Sequence, residues 1–133
     1  MRINYVAVLI AAVVQFVLGL FWYKVVFRKS WKALTGYVET SKTSEMFFSW
    51  TVFFLANFIL SFVMLYIDNW AGVKVADAGA KLGVVCWLGF MAPPLFAQHV
   101  FEHRRANLFA INAAYWLLAM AIGSGLVAAL GYH

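Results

Sequence analysis

Four long stretches of this sequence contain no Lys, Arg, Asp or Glu: Ile3 to Tyr23, Met46 to Ile67, Leu82 to Phe101 and Ala106 to His133. A helix rises 1.5 Å per residue, so about 20 apolar residues cross a hydrocarbon core of about 30 Å, and each stretch is long enough. Spanning strands would alternate apolar and polar residues over about 10 positions, whereas these runs are apolar throughout. The expected fold is therefore all-α: a polytopic four-transmembrane-helix bundle, one integral membrane domain over residues 1–133, with helices at about 3–23, 46–67, 78–101 and 106–130. Composition agrees. With 65% hydrophobic and 11% charged residues, the chain lacks the polar surface of a soluble globule, which carries about 25% charge. It is too apolar for disorder, and a single cysteine, Cys86, excludes a disulfide scaffold.

The first stretch is too long for a signal h-region and Lys24 follows it without a small-x-small cleavage site, so it reads as an uncleaved helix. The loops then orient the bundle, because basic residues favour the cytoplasmic side. Lys24, Arg28, Lys29, Lys32 and Lys42 in the first loop and Arg104 and Arg105 in the third share one side, against Arg2, Lys74 and Lys81 on the other. The first and third loops are expected to be cytoplasmic and both termini outside. The net charge of +5 thus belongs to topology and anionic lipid, and gives no argument for nucleic acid.

On a helical wheel Lys24, Arg28, Lys29 and Lys32 fall opposite Val26, Phe27, Trp31, Ala33 and Leu34. That pattern predicts a short amphipathic interfacial segment, stopped at Gly36, serving as an anchor or as a lid over a cytoplasmic pocket. Asp68-Asn69-Trp70 reads as a polar stop to the second helix and Asp77 as the N-cap of the third.

Several of these residues carry a resemblance. Phe16-Val17-Leu18-Gly19-Leu20-Phe21-Trp22-Tyr23, Phe27-Arg28-Lys29-Ser30-Trp31, Trp87-Leu88-Gly89-Phe90, and Glu102 with Asn112 and Tyr115 resemble the small bacterial membrane proteins grouped as domain of unknown function 1761. The most specific parts are the Leu-Gly-x-x-Trp-Tyr end of the first helix and the Trp-Leu-Gly-Phe segment. Where such proteins commonly show Ser-Pro after Trp-Tyr, this chain has Lys24-Val25. The resemblance implies four helices and a bacterial inner membrane, and it implies no activity.

Polar groups inside a span are costly and usually face the bundle interior. Gln15 shares a face with Ala11 and Gly19, Asn57 and Ser61 lie four apart, and Asn112 and Tyr115 three apart; they read as interhelical hydrogen bonds or as the lining of a cavity. Gly79 and Gly83, and Ala121, Gly125 and Ala129, form two small-x-x-x-small runs suited to packing or self-association. Pro93-Pro94 removes two backbone donors, leaving carbonyls around Gly89 and Phe90 unpaired. A kink follows, or an unwound binding point, and Gln15, Asn57 or Asn112 is a candidate donor to it.

His99-Val100-Phe101-Glu102-His103 matches H-x-x-E-H, which on a helix places two histidines on one face for zinc. No third ligand accompanies them, and Arg104 and Arg105 would repel a cation, so His99 and His103 are only weak metal candidates. Glu102 is expected to pair with a nearby base. Nucleophile elbow, phosphate loop, dinucleotide fingerprint and redox cysteine pair are all missing, so no cofactor and no catalytic residue are assigned. Proton coupling generally needs an ionisable group inside a span, and the four stretches hold no Asp, Glu, Lys or Arg. The expected function is that of an oligomeric lipid- or small-molecule-binding protein whose cytoplasmic rim comprises Trp22, Tyr23, Lys24, Arg28, Trp31, Glu102, Arg104 and Arg105. A passive channel or carrier for a neutral solute is the alternative, and a membrane-embedded enzyme the third. Anionic lipid, further copies of the chain and an unidentified protein are the expected partners.

Overall fold

A computed structural model describes residues 4–26, 43–103 and 106–130. Helix α1 (Tyr5–Phe21) runs into a π-helical turn at Trp22–Val26, and α2 spans Thr43–Trp70. Helix α3 (Ala76–Cys86), a second π-helical turn (Trp87–Met91) and α4 (Ala92–Phe101) follow one another as a third span, and α5 (Ala106–Leu130) is the fourth. Four stretches, Tyr5–Lys24, Phe47–Trp70, Ala76–Phe101 and Phe109–Leu130, are long and apolar enough to cross a membrane. The chain is thus an all-α, multi-pass membrane protein. The amphipathic segment expected after the first helix lies outside the described residues.

The helix ends are set by local chemistry. Asn4 caps α1: its side-chain oxygen accepts from the Val6 N–H at 3.1 Å, while its Nδ2 donates to the Leu130 carbonyl at 3.3 Å. One residue therefore satisfies an orphan N–H of the first helix and an orphan C=O of the last. The second helix includes the Asp68-Asn69-Trp70 segment and ends on it, at Trp70, rather than before it at Ile67. The turn beyond it closes at Gly72, whose φ of 72° only glycine adopts without strain. The Gly72 N–H bonds Asn69 O at 3.1 Å and the Val73 N–H bonds Asp68 O at 2.8 Å, a Schellman closure. Asp77 is likewise not the cap of α3. The cap position is Val75, with no side-chain bond, and Asp77 lies in the first turn, where its charge meets the positive end of the helix dipole.

Pro93 and Pro94 occupy the first turn of α4, where a missing N–H costs little. The turn before them widens to π register, with the Ala92 N–H bonded to the Trp87 carbonyl. The span thus remains helical, and the unwound binding point falls away. Two of the three proposed amide donors are engaged elsewhere, Gln15 on Ala119 and Asn57 on Phe53.

Helix α5 is the hub. It packs against α1, α2, α3, the second π turn and α4, and 50% of its membrane window is buried, against 11% for Ala76–Phe101. The third span lies on it through glycines. A Cβ at Gly83 would collide with the Met120 carbonyl and stand 3.0 Å from Ala121 Cα; one at Gly79 would stand 2.7 Å from both Ser124 O and Ala128 Cβ. Gly125 in turn faces Ala76 O, which a Cβ would meet at 3.0 Å. The two small-residue runs are therefore spent on each other inside the chain and offer no ground for self-association. Beneath the contact, Val8, Ala11, Met64, Leu65, Cys86, Met120 and Val127 form the apolar core. Val85, Leu88 and Phe90 of the third span point outward, as lipid contact allows.

Gly83→Val is expected to destabilise the bundle by about 1–3 kcal/mol or more, because the obstructing atoms are backbone and cannot swing away. Gly89, around which a Cβ meets nothing within 4 Å, should accept Ala with no loss. Unfolding of the two variants in a denaturing-detergent titration separates these outcomes.

Candidate functional site

Gln15, Asn57, Ser61 and Tyr115, from α1, α2 and α5, assemble into one connected group. Ala11, Gln15 and Gly19 recur every four residues and share the buried face of α1. From that face the Gln15 amide donates to the Ala119 carbonyl at 2.7 Å and accepts from Ser61 Oγ at 2.7 Å. The Tyr115 hydroxyl donates to the Gln15 backbone carbonyl at 2.9 Å and approaches Asn57 Oδ1 at 3.3 Å. One phenolic proton makes one strong bond at a time, so the shorter contact carries it. Asn57 Nδ2 closes the group on its own helix, at Phe53 O, 3.0 Å away. All four residues, Gln15, Asn57, Ser61 and Tyr115, are fully buried. Gly123 makes the room, since a Cβ there would overlap Gln15 Nε2. Nothing in the spacing of polar residues had marked it.

Toward the first loop the polar column ends in aromatic rings. Trp22 Nε1 donates to the Ile111 carbonyl at 3.0 Å, Tyr23 Oη to Asn112 Oδ1 at 2.9 Å, and Trp87 Nε1 to the Ala113 carbonyl at 2.9 Å. Adjacent residues on a regular helix diverge by about 100°, and here the π-helical turn carries Trp22 and Tyr23 together onto α5. Gly19 admits the Phe53 ring beside α1, with Tyr115 Oη 3.2 Å from where a Cβ would stand. Phe53 also packs on Phe16, Trp50, Tyr115 and Trp116, with ring centroids 5.4–6.1 Å apart. Lys24 Nζ sits over the Trp50 ring, 5.1 Å from its centroid, within cation–π range. Of the rim residues expected from the sequence, the structure brings Trp22, Tyr23 and Lys24 to this end of the bundle. Glu102 closes α4, where Gln98 Nε2 approaches Oε1 at 3.4 Å. Arg28, Trp31, Arg104 and Arg105 lie outside the described residues, and with them any pairing to Glu102.

The H-x-x-E-H spacing does not produce the geometry it suggested. Helix α4 ends at Phe101, Glu102 leaves it, and His103 takes a left-handed φ of 55°; the two histidines are not successive turns of one helical face. Among the described residues no three His, Cys, Asp or Glu side chains come together. His99 is buried, edge-on to Phe109. Its Nδ1 lies 2.8 Å from the Leu95 carbonyl and must be the donor, because a carbonyl only accepts. Its Nε2 has no hydrogen-bond partner among the described residues.

One buried acid escaped the sequence reading. Because α2 continues to Trp70, Asp68 lies inside a span, wholly buried, with Ser124 Oγ 2.8 and 3.1 Å from its two carboxyl oxygens. The spans are therefore not free of ionisable groups, and the argument against proton coupling loses its basis. The signal was present: Asn57, Ser61, Met64, Leu65 and Asp68 follow the helical period along one buried face. Reading the acid as a stop concealed it.

The connected amides set an energetic expectation. Gln15→Leu should lower stability by about 1–2 kcal/mol, and a double-mutant cycle with Ser61→Ala should return a coupling of about 0.6–2 kcal/mol, the range for hydrogen bonds between membrane helices. A coupling indistinguishable from zero would mean that the two side chains do not meet.

The specific parts of the family resemblance now have positions in the fold: Gly19, Trp22 and Tyr23 dock α1 on its neighbours, and Trp87 docks the third span on α5. Neither curated proteins nor solved structures give a match to the chain. A family profile described as "Protein of unknown function (DUF1761)" matches residues 6–128, nearly the whole length over which these contacts are made, and the chain belongs to that family.

Proposed function

We propose that this protein binds the headgroup of an anionic lipid, or a small anionic molecule, at the end of the bundle formed by Trp22, Tyr23 and Lys24. The observation that carries the reading is the Lys24 ammonium held 5.1 Å from the Trp50 ring centroid, beside the Tyr23–Asn112 hydrogen bond at 2.9 Å. A cation fixed over an aromatic face at a membrane boundary suits a phosphate above and acyl chain below. In the sequence, Arg28 and Trp31 come shortly after Lys24, and Arg104 and Arg105 shortly after Glu102, so both loops add basic residues. The interior polar side chains are occupied with one another, which favours binding at the rim over passage through a single bundle. The proposal places the protein in the bacterial inner membrane with its first and third loops cytoplasmic. It also takes the protein as an assembly of copies, for which the outward third span supplies apolar surface.

Native mass spectra of protein released gently from membranes would read copy number and retained lipid together. Neutralising Lys24, Arg28 and Arg104 to Gln should weaken association with anionic vesicles by about 1 kcal/mol per charge, about 5-fold each, and flatten its salt dependence. Unchanged vesicle association in the triple variant would sink the proposal.

A further inference from the structure

At the end of the bundle away from Lys24 stands the Asp68 carboxyl, on which the lipid-binding reading makes no demand. It is 0% exposed. The Ser124 hydroxyl, 2.8 Å from Oδ1 and 3.1 Å from Oδ2, is its side-chain partner, and one hydroxyl has one proton to give. An ionised carboxylate offers about four lone-pair sites. Buried in a span with a single donor, it would forfeit most of its hydration, and buried charges persist only when paired or well hydrogen-bonded.

Among the described residues, Ser124, on α5, is the polar side chain that meets the carboxyl. Of the described interior residues, α1 contributes the apolar Ala7, Val8 and Ala11 and α3 contributes the thiol of Cys86. Asn4 at the start of α1 is neutral and bonded to Leu130. Tyr66 on α2 packs edge-on against Phe62 and tilted against Trp70. Lys74, Asp77 and Lys81 are exposed, whereas the carboxyl is enclosed. A metal ion fits poorly, because two carboxyl oxygens and one hydroxyl fall well short of the six or so oxygens that hard cations take.

We propose that Asp68, paired with Ser124 across the α2–α5 contact, is an intramembrane proton-binding site. The protonated carboxyl donates to Ser124 Oγ over the same 2.8 Å that the ionised form would use to accept from it, so taking up the proton requires no movement of the helices. Releasing it leaves an oxygen without a donor, and water must enter the α2–α5 contact beneath the Gly72 turn. Asp68 thus links proton occupancy to the closure of that end of the bundle, which is the element that coupling to a proton gradient requires.

Dicyclohexylcarbodiimide, which enters membranes and reacts with protonated carboxyls, tests the assignment on the full chain in proteoliposomes. The carboxyl proton passes to a carbodiimide nitrogen while a carboxyl oxygen bonds the central carbon, and the adduct rearranges to a stable acylurea. Peptide mapping should place the adduct on Asp68 and not on exposed Asp77 or Glu102, with labelling lost as pH rises. The protonated C=O stretch seen by infrared spectroscopy should vanish in Asp68→Asn and shift in Asp68→Glu. If neither variant folds, label position and the pH dependence of that band in the native chain decide alone. Absence of both the adduct and the band at acid pH would overturn the proposal, and so would protection by Na⁺ at fixed pH, which would make the site one for a metal cation. These outcomes are independent of lipid binding at the other end.

Discussion

Side-chain hydrogen bonds to the backbone of α5 are the interaction on which the remainder of this bundle depends. In hydrocarbon there is no gain from merely bringing two apolar helices together, so packing and polar contacts must supply the association. Gln15, Trp22 and Trp87 each deliver an N–H to an α5 carbonyl, at Ala119, Ile111 and Ala113. These carbonyls have a second lone pair beyond the one used in the helix. Because the donors come from α1 and from the third span, α5 holds its neighbours in register from two sides. Asn112 between the tryptophan contacts takes Tyr23, and Tyr115 reaches back to the Gln15 carbonyl.

Close approach is the second requirement, and it is met by removing side chains. Gly79 and Gly83 bring the α3 backbone onto Met120, Ser124 and Ala128, while Gly123 leaves the volume that Gln15 fills. Glycine costs helix stability in water, but in a span its flat surface permits dispersion contacts between backbones. The outcome is uneven burial: α5 is enclosed, and the third span, held along one face, presents most of its surface outward.

The two ends of the bundle differ in chemistry. At one, the Lys24 ammonium lies over the Trp50 ring, and Trp22 and Tyr23 direct their polar atoms to α5 through hydrogen bonds. At the other, a carboxyl is enclosed with a single hydroxyl beneath a glycine turn. Each buried polar group weakens the fold unless it is matched, and the two ends meet that requirement differently. The central Gln15 group lies between them and ties α1, α2 and α5 together through Ser61, Tyr115 and the Ala119 carbonyl, which makes it a seam between helices.

Four apolar runs free of charge leave no alternative to helices that satisfy their own backbone in lipid, so the class of fold and the four spans were determined by the sequence alone. The inward faces were legible too, since Gln15, Asn57, Ser61 and Tyr115 could be seen by their period and their cost. Tertiary structure decided what that period could not express: which carbonyl each donor meets, that the two small-residue runs pair within one chain, and that α4 ends between His99 and His103. It also decided that Asp68 is interior. Charge patterning alone marks an acid near a helix end as a boundary, whereas the closure at Gly72 carries the helix past it. Burial is a property of what packs against a residue, and for Asp68 that was Ser124, 56 positions away in the chain.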